Sequence, residues 1–397
     1  MINIGIIKEY KIPNDYRVPF TPNQAKEIKE LDGFNVVCQK SEIRCYKEEE
    51  YKEQGISIVN QLDESDVIFG IKEVPVNKLI ENKTYFMFSH TIKKQPYNRD
   101  LLKTIIKKKI RLIDYECLTE GNKRIVAFGK YAGIAGTYNT LIAYGIKYKK
   151  FDFQRLSKFK NTKELYKFSS KNPLSDPIKI LIIGNGRVAE GATELLEEFK
   201  VKQICTKEFI SKNYNHPVYC QLEVRDYMKK PSGEDFEEQE YFINPENFKS
   251  NYKLYSNKTD ILINAAYWDP KSPRLFEEKE IDDNFSAKII GDISCDIDGA
   301  IPCTKISSSI ENPFFDFCNI SKKIKKPFSD KRNITIMAID NLPSELPRDS
   351  SKFFGNILKN KIIPLLEDDN NEILKEATIT SGGSLTKRYQ YLEDYVN

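Results

Sequence analysis

Histidine is almost absent from this chain of 397 residues, which contains only His90 and His216. The eight cysteines are scattered and form no paired C-x-x-C motif, which argues against a zinc module and against a disulfide framework. No apolar run approaches the roughly 18 residues that a membrane span needs. The 62 basic residues barely exceed the 58 acidic ones, so the chain lacks the concentrated basic field of a nucleic-acid-binding protein.

What is present points to a protein of a reducing, soluble compartment. The chain runs from Met1 directly into an apolar, strand-like segment at residues 2–7, so we expect no targeting leader and a cytoplasmic location. Neither a nucleic-acid nor a membrane partner is expected, and no metal. The length predicts two to three domains, while the oligomeric state stays open.

Short strand-like runs alternate with helical stretches, a pattern typical of a parallel α/β sheet. In the first third we expect helices at 22–30 and 99–108 and strands at 2–7, 35–39, 66–69, 84–88 and 111–114. A long helix at 133–147 precedes a basic, turn-rich stretch at 148–177. Further buried strands are expected at 178–183, 260–264 and 288–293, and the polar stretch 229–251 is expected to be a surface excursion.

The strand at 178–183 runs into Gly184-Asn185-Gly186-Arg187-Val188-Ala189, and a helical pattern follows. This is the G-x-G-x-x-A dinucleotide fingerprint, in which Gly184 permits the tight turn and Gly186 lets the backbone approach a pyrophosphate. We therefore expect cofactor contacts from Gly184, Gly186, Arg187 and Val188, with a coincidental glycine turn as the alternative.

The coenzyme type depends on the end of the next strand, where an acidic residue normally holds the ribose 2′-hydroxyl. The next strand-like run, residues 203–207, offers no carboxylate before Glu208 and places Lys207 nearby. This arrangement favours NADP(H), with NAD(H) as the other option.

Several longer motifs resemble one enzyme family. The opening segment 8–22, with Lys8-Glu9 and Arg17-Val18-Pro19-Phe20-Thr21-Pro22, resembles the start of the alanine dehydrogenase and transhydrogenase superfamily. Later blocks resemble the lysine–2-oxoglutarate reductase region of aminoadipic semialdehyde synthases and, more distantly, the lysine-forming saccharopine dehydrogenases. These blocks are residues 88–98, 112–116, 126–136, 292–294 and 339–347. The resemblance covers nearly the whole chain in order.

The resemblance implies an α/β fold of two Rossmann-like domains with parallel sheets and the active site in the cleft between them. It implies a substrate domain at 1–135, completed by 341–397, and an NAD(P)-binding domain at 136–340. The implied reaction is the reversible, NADPH-dependent reductive condensation of L-lysine with 2-oxoglutarate to saccharopine.

The resemblance also assigns roles to single residues. Lys72 and His90 are implied as the acid–base pair. An imidazole suits proton transfer near neutral pH, whereas a lysine needs burial or a cationic neighbour for this task. Glu73 and Glu116 are implied to tune the pair, with surface salt bridges as the alternative. The implied substrate contacts are Lys11, Arg17, Gln95, Arg124, Phe128 and Ser294.

Further cofactor contacts are implied for Lys123, Tyr267, Ile293 and Asp340, while Lys207 is expected from the charge argument that favours NADP(H). The alternatives are a buried aromatic residue for Tyr267, a core strand residue for Ile293 and a helix N-cap for Asp340. Two other functions stay open. One is an alanine dehydrogenase-like enzyme that aminates a smaller oxo acid, and the other is a non-catalytic NAD(P)-binding relative.

Overall fold

The computed structural model describes residues 1–121, 123–282, 284–368 and 370–397. The chain forms two compact units, which we call the first unit (Met1–Phe128 with Pro347–Asn397) and the second unit (Gly129–Leu346). Within the described residues, no helix is both long and apolar enough to cross a membrane. The same part of the chain holds no cluster of three or more histidine, cysteine or acidic side chains suited to a metal ion.

The N-terminal part of the first unit alternates strands with helices. Its helices are α1 (Pro22–Lys29), α2 (Glu48–Glu53) and α3 (Arg99–Lys107). Its strands are β1 (Ile2–Ile6), β2 (Phe34–Gln39), β3 (Ser57–Val59), β4 (Val67–Phe69), β5 (Thr84–Met87), β6 (Arg111–Asp114), β7 (Thr119–Glu120) and β8 (Lys123–Arg124). Helix α1 begins where the Thr21 side chain accepts a hydrogen bond from the Gln24 backbone, and Pro22 suits its first turn.

The second unit contains most of the remaining elements. Its helices are α4 (Gly129–Tyr148), α5 (Thr162–Lys171), α6 (Arg187–Glu198), α7 (Thr206–Ser211), α8 (Val224–Tyr227), α9 (Glu238–Ile243) and α10 (Lys253–Ser256). Its strands are β9 (Lys179–Ile183), β10 (Lys202–Gln203), β11 (Val218–Leu222), β12 (Met228–Lys229), β13 (Lys249–Ser250), β14 (Ile261–Asn264), β15 (Ile289–Asp292), β16 (Phe314–Cys318), β17 (Lys323–Lys325) and β18 (Ile334–Met337).

The C-terminal segment completes the first unit. It contributes α11 (Pro347–Ile357), α12 (Glu372–Ala377), β19 (Thr378–Ser381), β20 (Ser384–Leu385) and α13 (Glu393–Val396). Strand β19 pairs antiparallel with β6, and β20 pairs antiparallel with β19. The sheet of the first unit therefore has the order β20-β19-β6-β5-β4-β1-β2-β3, with its six N-terminal strands parallel.

The sheet of the second unit has the order β10-β11-β9-β14-β15-β18-β16-β17. It is parallel up to β18, and β16 and β17 continue it in antiparallel pairing. The α/β class with two predominantly parallel sheets is thus confirmed. Two local expectations were wrong: helix α5 lies in the stretch predicted to be turn-rich, and α4 begins at Gly129, earlier than predicted.

Alternating side chains from each sheet enter separate cores because successive strand residues face opposite sides. In β4, Val67 and Phe69 belong to one core cluster of the first unit and Ile68 to the other. In β9, Ile180 and Ile182 lie on one face of the second sheet, and Leu181 lies on the opposite face. All five residues of β9 are buried, as expected for a central parallel strand.

Candidate active site

The carboxyl ends of β1 and β4 meet at the point where the strand order of the first sheet reverses, which is where open α/β sheets bind ligands. The buried Glu9 carboxylate follows β1 and spans this junction. It accepts hydrogen bonds from the backbone nitrogens of Ile71 (2.7 Å) and Lys72 (2.9 Å), which follow β4. Burial and the nearby Asp15 raise the pKa of Glu9 to about 8. Glu9 therefore fixes the backbone that carries Lys72.

Arg17 and Asp15 form a buried ion pair in the loop after β1. Arg17 donates from Nε to Asp15 Oδ1 (2.9 Å) and from Nη2 to Oδ2 (2.5 Å), and its guanidinium lies 4.2 Å from the ring centroid of Phe128. Burial opposes ionisation of Asp15, but the charge and hydrogen bonds of Arg17 hold the pKa of this carboxyl well below its usual range. The predicted substrate contacts Arg17 and Phe128 are thus brought together.

Lys72 is half-buried and lies near both cationic and acidic side chains. Burial and the neighbouring Arg17 lower the pKa of Lys72 below its ordinary value, against the opposing effect of Asp15 and Glu73. A lysine with a lowered pKa loses its proton more readily near neutral pH. Lys72 therefore has the burial and the cationic neighbour that a lysine needs for proton transfer near neutral pH.

His90 and Glu73 make direct contact. His90 follows β5 and Glu73 follows the adjacent β4, and His90 Nδ1 lies 2.7 Å from Glu73 Oε1. Lys11 Nζ lies 3.6 Å from the other oxygen of Glu73. Burial opposes ionisation, but the hydrogen bond and charge of His90 and the charge of Lys11 lower the pKa of Glu73 to about 2. Glu73 is therefore an ionised partner of His90.

Glu116 forms a second acidic centre, after β6. Its Oε1 atom lies 3.2 Å from Lys93 Nζ and 3.7 Å from Arg124 Nη2. Arg124 and Lys123 form the exposed strand β8, and Gln95 accepts a hydrogen bond from the Tyr97 hydroxyl. The sequence-based assignment gives Lys93 no role, although its position only three residues after His90 could have indicated that it lies near the site.

The glycine loop of the second unit has the geometry of a phosphate cradle. Gly184 has φ of 106°, in the region that favours glycine, and Gly186 is the N-cap of the twelve-residue helix α6. A Cβ atom at Gly186 would meet nothing within 4 Å, so open space lies over the backbone at the helix N-terminus. The residues present therefore fit a dinucleotide pyrophosphate. Arg187 and Val188 open α6 and are half-buried.

Strand β9 lies between β11 and β14 in the sheet, so the strand that follows it in the chain, β10, is not its neighbour. β10 lies at the sheet edge, whereas Leu222 at the end of β11 accepts a hydrogen bond from the Gly184 backbone (2.9 Å). The residue that follows β11 is Glu223, which is paired with Arg225 at 3.2 Å. Lys207 is exposed on α7, after the edge strand. Glu223, which has no role in the sequence-based assignment, thus follows a strand that pairs directly with the strand of the glycine loop.

A network of hydrogen bonds links the side chains at the carboxyl ends of β14 and β15. Asn264 donates to Asp292 (2.9 Å) and Ser294 (3.1 Å), and Thr304 donates to the second oxygen of Asp292 (2.6 Å). Burial raises the pKa of Asp292, which lies at the end of β15. Ser294 also donates to Asp292 (2.9 Å), so the structure places this predicted substrate contact in an internal network.

The remaining predicted cofactor residues differ in exposure. Ile293 is buried in the core, as its alternative assignment expects. Tyr267 is 86% exposed, so the alternative of a buried aromatic residue is wrong. Asp340 is exposed and precedes Asn341, which is the N-cap of the short helix that follows, so the alternative N-cap assignment is also wrong.

Comparison with known proteins places the first part of the chain. Residues 5–135 match the family model described as alanine dehydrogenase/PNT, N-terminal domain. Alpha-aminoadipic semialdehyde synthase of Mus musculus is 29% identical, covering 95% of this chain and 46% of that protein. The Arabidopsis thaliana protein of the same name is 28% identical over 98% of this chain and 41% of its own length. The chain thus spans less than half the length of these two relatives.

For a shorter relative and two solved structures, the match extends over nearly the whole length of both chains. Saccharopine dehydrogenase [NAD(+), L-lysine-forming] of Schizosaccharomyces pombe is 24% identical over 90% of this chain and 92% of that protein. An L-alanine dehydrogenase structure matches with a TM-score of 0.65 and 14% identity over all of both chains. A transhydrogenase from Sinorhizobium meliloti matches with a TM-score of 0.61 and 15% identity over 97% of this chain and 98% of that chain. The resemblance stated from the sequence is confirmed.

Proposed function

We propose that this chain, whose residues 5–135 match the family model of the alanine dehydrogenase/PNT N-terminal domain, is a nicotinamide-dependent oxidoreductase of lysine metabolism. The observation that carries the proposal is the arrangement of Lys72, Glu73 and His90 after adjacent strands, with Arg17 beside them. The relatives named for semialdehyde synthase and lysine-forming saccharopine dehydrogenase support the same class of reaction.

The specific reaction that we propose is the condensation of the ε-amine of lysine with the oxo group of 2-oxoglutarate, followed by reduction of the imine. Condensation releases water, and reduction consumes one hydride and one proton to give saccharopine. The hydride is what a reduced nicotinamide supplies when it is bound. Arg17 and Arg124 are proposed to hold substrate carboxylates, as the resemblance implies, since a guanidinium suits a carboxylate in a planar arrangement. The Nε–Nη2 face of Arg17 is already paired with Asp15, so a substrate carboxylate would have to approach another part of its guanidinium.

Proton transfer is assigned to Lys72 and His90. The lowered pKa of Lys72 lets its Nζ accept a proton from the attacking amine or carbinolamine. His90 has Nδ1 against the ionised Glu73, so its Nε2 is the nitrogen left to exchange a proton with the reacting group. The roles proposed for Lys11, Gln95, Phe128 and Ser294 on the substrate side remain those that the resemblance implies.

For the coenzyme, Glu223 shifts the expectation. A carboxylate at the end of the strand beside the glycine loop accepts hydrogen bonds from a ribose 2′-hydroxyl and repels a 2′-phosphate. We therefore propose that NAD(H) binds more tightly than NADP(H), and that Arg225 partly offsets the repulsion. Gly184, Gly186, Arg187 and Val188 are proposed to hold the pyrophosphate. Lys123, Lys207, Tyr267, Ile293 and Asp340 remain proposed cofactor contacts.

A substrate assay tests the proposed function. Oxidation of NADH and of NADPH is followed with lysine plus 2-oxoglutarate, and in parallel with ammonia plus pyruvate. We expect turnover with the first pair and formation of saccharopine. Turnover with ammonia and pyruvate alone would favour an alanine dehydrogenase-like enzyme. Coenzyme binding without turnover of either pair would favour a non-catalytic relative.

A further inference from the structure

Asp114 is a fully buried carboxylate at the end of β6, and its hydrogen bonds reach two neighbouring segments. Its Oδ2 atom accepts from the Ser89 backbone nitrogen (2.8 Å) and from the Ser89 hydroxyl (2.5 Å). Its Oδ1 atom accepts from the Glu116 backbone nitrogen (2.7 Å). One side chain thus anchors the residue before His90 and the backbone of Glu116.

The conformation of His90 needs such an anchor. His90 has φ of 53°, which lies in the left-handed region. Residues other than glycine adopt this backbone conformation at a cost in free energy, which the surrounding contacts must offset. The Ser89 hydroxyl lies 2.8 Å from that of Thr91, and the Thr91 backbone nitrogen donates to Ser89 Oγ (3.3 Å). The residues on both sides of His90 are therefore tied to Asp114, directly or through Ser89.

We propose that Asp114 is a positioning residue, which holds His90 in the left-handed conformation that directs Nδ1 to Glu73 and at the same time holds Glu116 against Lys93 and Arg124. The catalytic consequence rests on the proposed function, whereas the orientation of His90 does not. A buried carboxylate with three donors is hard to replace, because an amide has only one acceptor oxygen. In Asp114→Asn, either Ser89 or Glu116 must lose its acceptor.

The scarcity of histidine gives a direct readout of this proposal. Imidazole nitrogen shifts of ¹⁵N-histidine-labelled protein report whether Nδ1 is hydrogen-bonded. The chain has only two histidines, so His216→Gln leaves the signals of His90 alone, and the substitution should not disturb the site because His216 is exposed and lies outside it. In Asp114→Asn we expect the His90 signals to move toward those of a solvated imidazole. Because the single oxygen of Asn can keep Ser89 and release Glu116, an unchanged His90 spectrum overturns the proposal when it is found in both Asp114→Asn and Ser89→Ala, whatever the enzyme assays show.

Kinetics supply the second readout. We expect Asp114→Asn to lower kcat at least about tenfold, while the KM for the coenzyme changes less than about twofold. The matched control is Asp316→Asn in the second unit. Asp316 is also fully buried and accepts from two backbone nitrogens, those of Phe328 and Ser329 (both 3.1 Å), but it bonds to no proposed site residue. This control is expected to leave kcat and the His90 spectrum unchanged.

A milder variant covers the case in which Asp114→Asn fails to fold. Ser89→Ala removes the hydroxyl bond to Asp114 and the contact with Thr91 but keeps the backbone bond. We expect a smaller displacement of the His90 signals in the same direction and a kcat reduced about threefold or more. A spectrum identical to that of the wild type in Ser89→Ala would then overturn the proposal. If the wild type shows no turnover while the variants still show displaced His90 signals, the positioning role is supported and the proposed function is refuted.

Discussion

His90 Nδ1 and Glu73 Oε1 lie 2.7 Å apart, and the two residues follow adjacent parallel strands of the first sheet. The contact joins one of the two histidines of the chain to a carboxylate whose pKa is lowered to about 2. Because the carboxylate stays ionised, it fixes the ring orientation and leaves Nε2 as the nitrogen for proton exchange. The pair therefore has a consequence for stability and, under the proposed function, one for catalysis.

The stability consequence is a pH-dependent difference between the wild type and Glu73→Gln. The pKa of Glu73 is lower in the folded protein (about 2) than its ordinary value of 4.5, so ionised Glu73 stabilises the fold above about pH 4.5. We expect Glu73→Gln to lower the free energy of unfolding by up to about 3 kcal/mol near neutrality. The difference should shrink as the pH falls from about 4.5 toward 2. Denaturant titrations at several pH values measure it, and a difference independent of pH would contradict the assignment.

Two helices of the second unit approach so closely that glycine is required. A Cβ atom at Gly133 in α4 would collide with the carbonyl oxygen of Val188 in α6, and one at Gly191 would collide with that of Lys130. Backbone atoms cannot move aside as a side chain does, so we expect Gly133→Ala to destabilise the protein by about 1–3 kcal/mol or more. Gly186→Ala is the matched control, because a Cβ there meets nothing.

The control has its own expected effect. Gly186→Ala should leave the free energy of unfolding nearly unchanged but weaken coenzyme binding, since the added methyl group enters the open space at the N-terminus of α6. Chemical denaturation together with fluorescence titration of NADH separates the two variants. Equal losses of stability in both would show that the approach of α4 to α6 is not the cause.

Candidate residues that directly follow a strand were identified from the sequence, whereas the buried residues that contact them were not. Lys72 and His90 follow β4 and β5, and Gly184 follows β9, because the carboxyl ends of parallel strands gather at one sheet edge. Asp15 and Glu9 were missed, since their roles depend on burial and on contacts between β1 and β4 that no periodicity reveals.

The strand that follows β9 in the chain is not its neighbour in the sheet. The coenzyme argument used the run at 203–207 because it comes next in the chain, but β10 has only two residues and pairs at the sheet edge, while the five-residue β11 pairs with β9. Pairing order in a sheet is a tertiary property, so local sequence does not determine it. For this reason the sequence-based assignment gives Glu223 no role.

Lys72 and His90 are expected to be required for turnover but not for coenzyme binding. Lys72→Met and His90→Ala each remove a group that exchanges protons, so kcat should fall by about 10²–10⁴-fold. The affinity for NADH should stay close to that of the wild type, because the proposed pyrophosphate site is formed by other residues. Steady-state kinetics and fluorescence titration measure the two quantities, with His216→Gln as the control. Full activity in both variants would refute the assignment of the pair.

Glu223 is expected to decide between the two coenzymes. Its carboxylate follows the strand whose last residue bonds to Gly184, and under the proposed function the adenosine ribose of a bound dinucleotide is expected near the end of that strand. Glu223→Ser removes the acceptor for the 2′-hydroxyl and the repulsion of a 2′-phosphate, and it releases Arg225 from its ion pair. The ratio of kcat/KM for NADPH to that for NADH should therefore rise at least about tenfold.

Two controls separate this effect from a general change in the loop. Lys207→Ser alters a proposed cofactor contact that follows the edge strand, and it should change the ratio less than Glu223→Ser does, because β10 is not adjacent to β9. Arg225→Ser should lower the ratio, since a guanidinium near the ribose attracts the 2′-phosphate. If Lys207→Ser changes the ratio and Glu223→Ser does not, the coenzyme is read from the edge strand, and the placement of the ribose beside β11 is wrong.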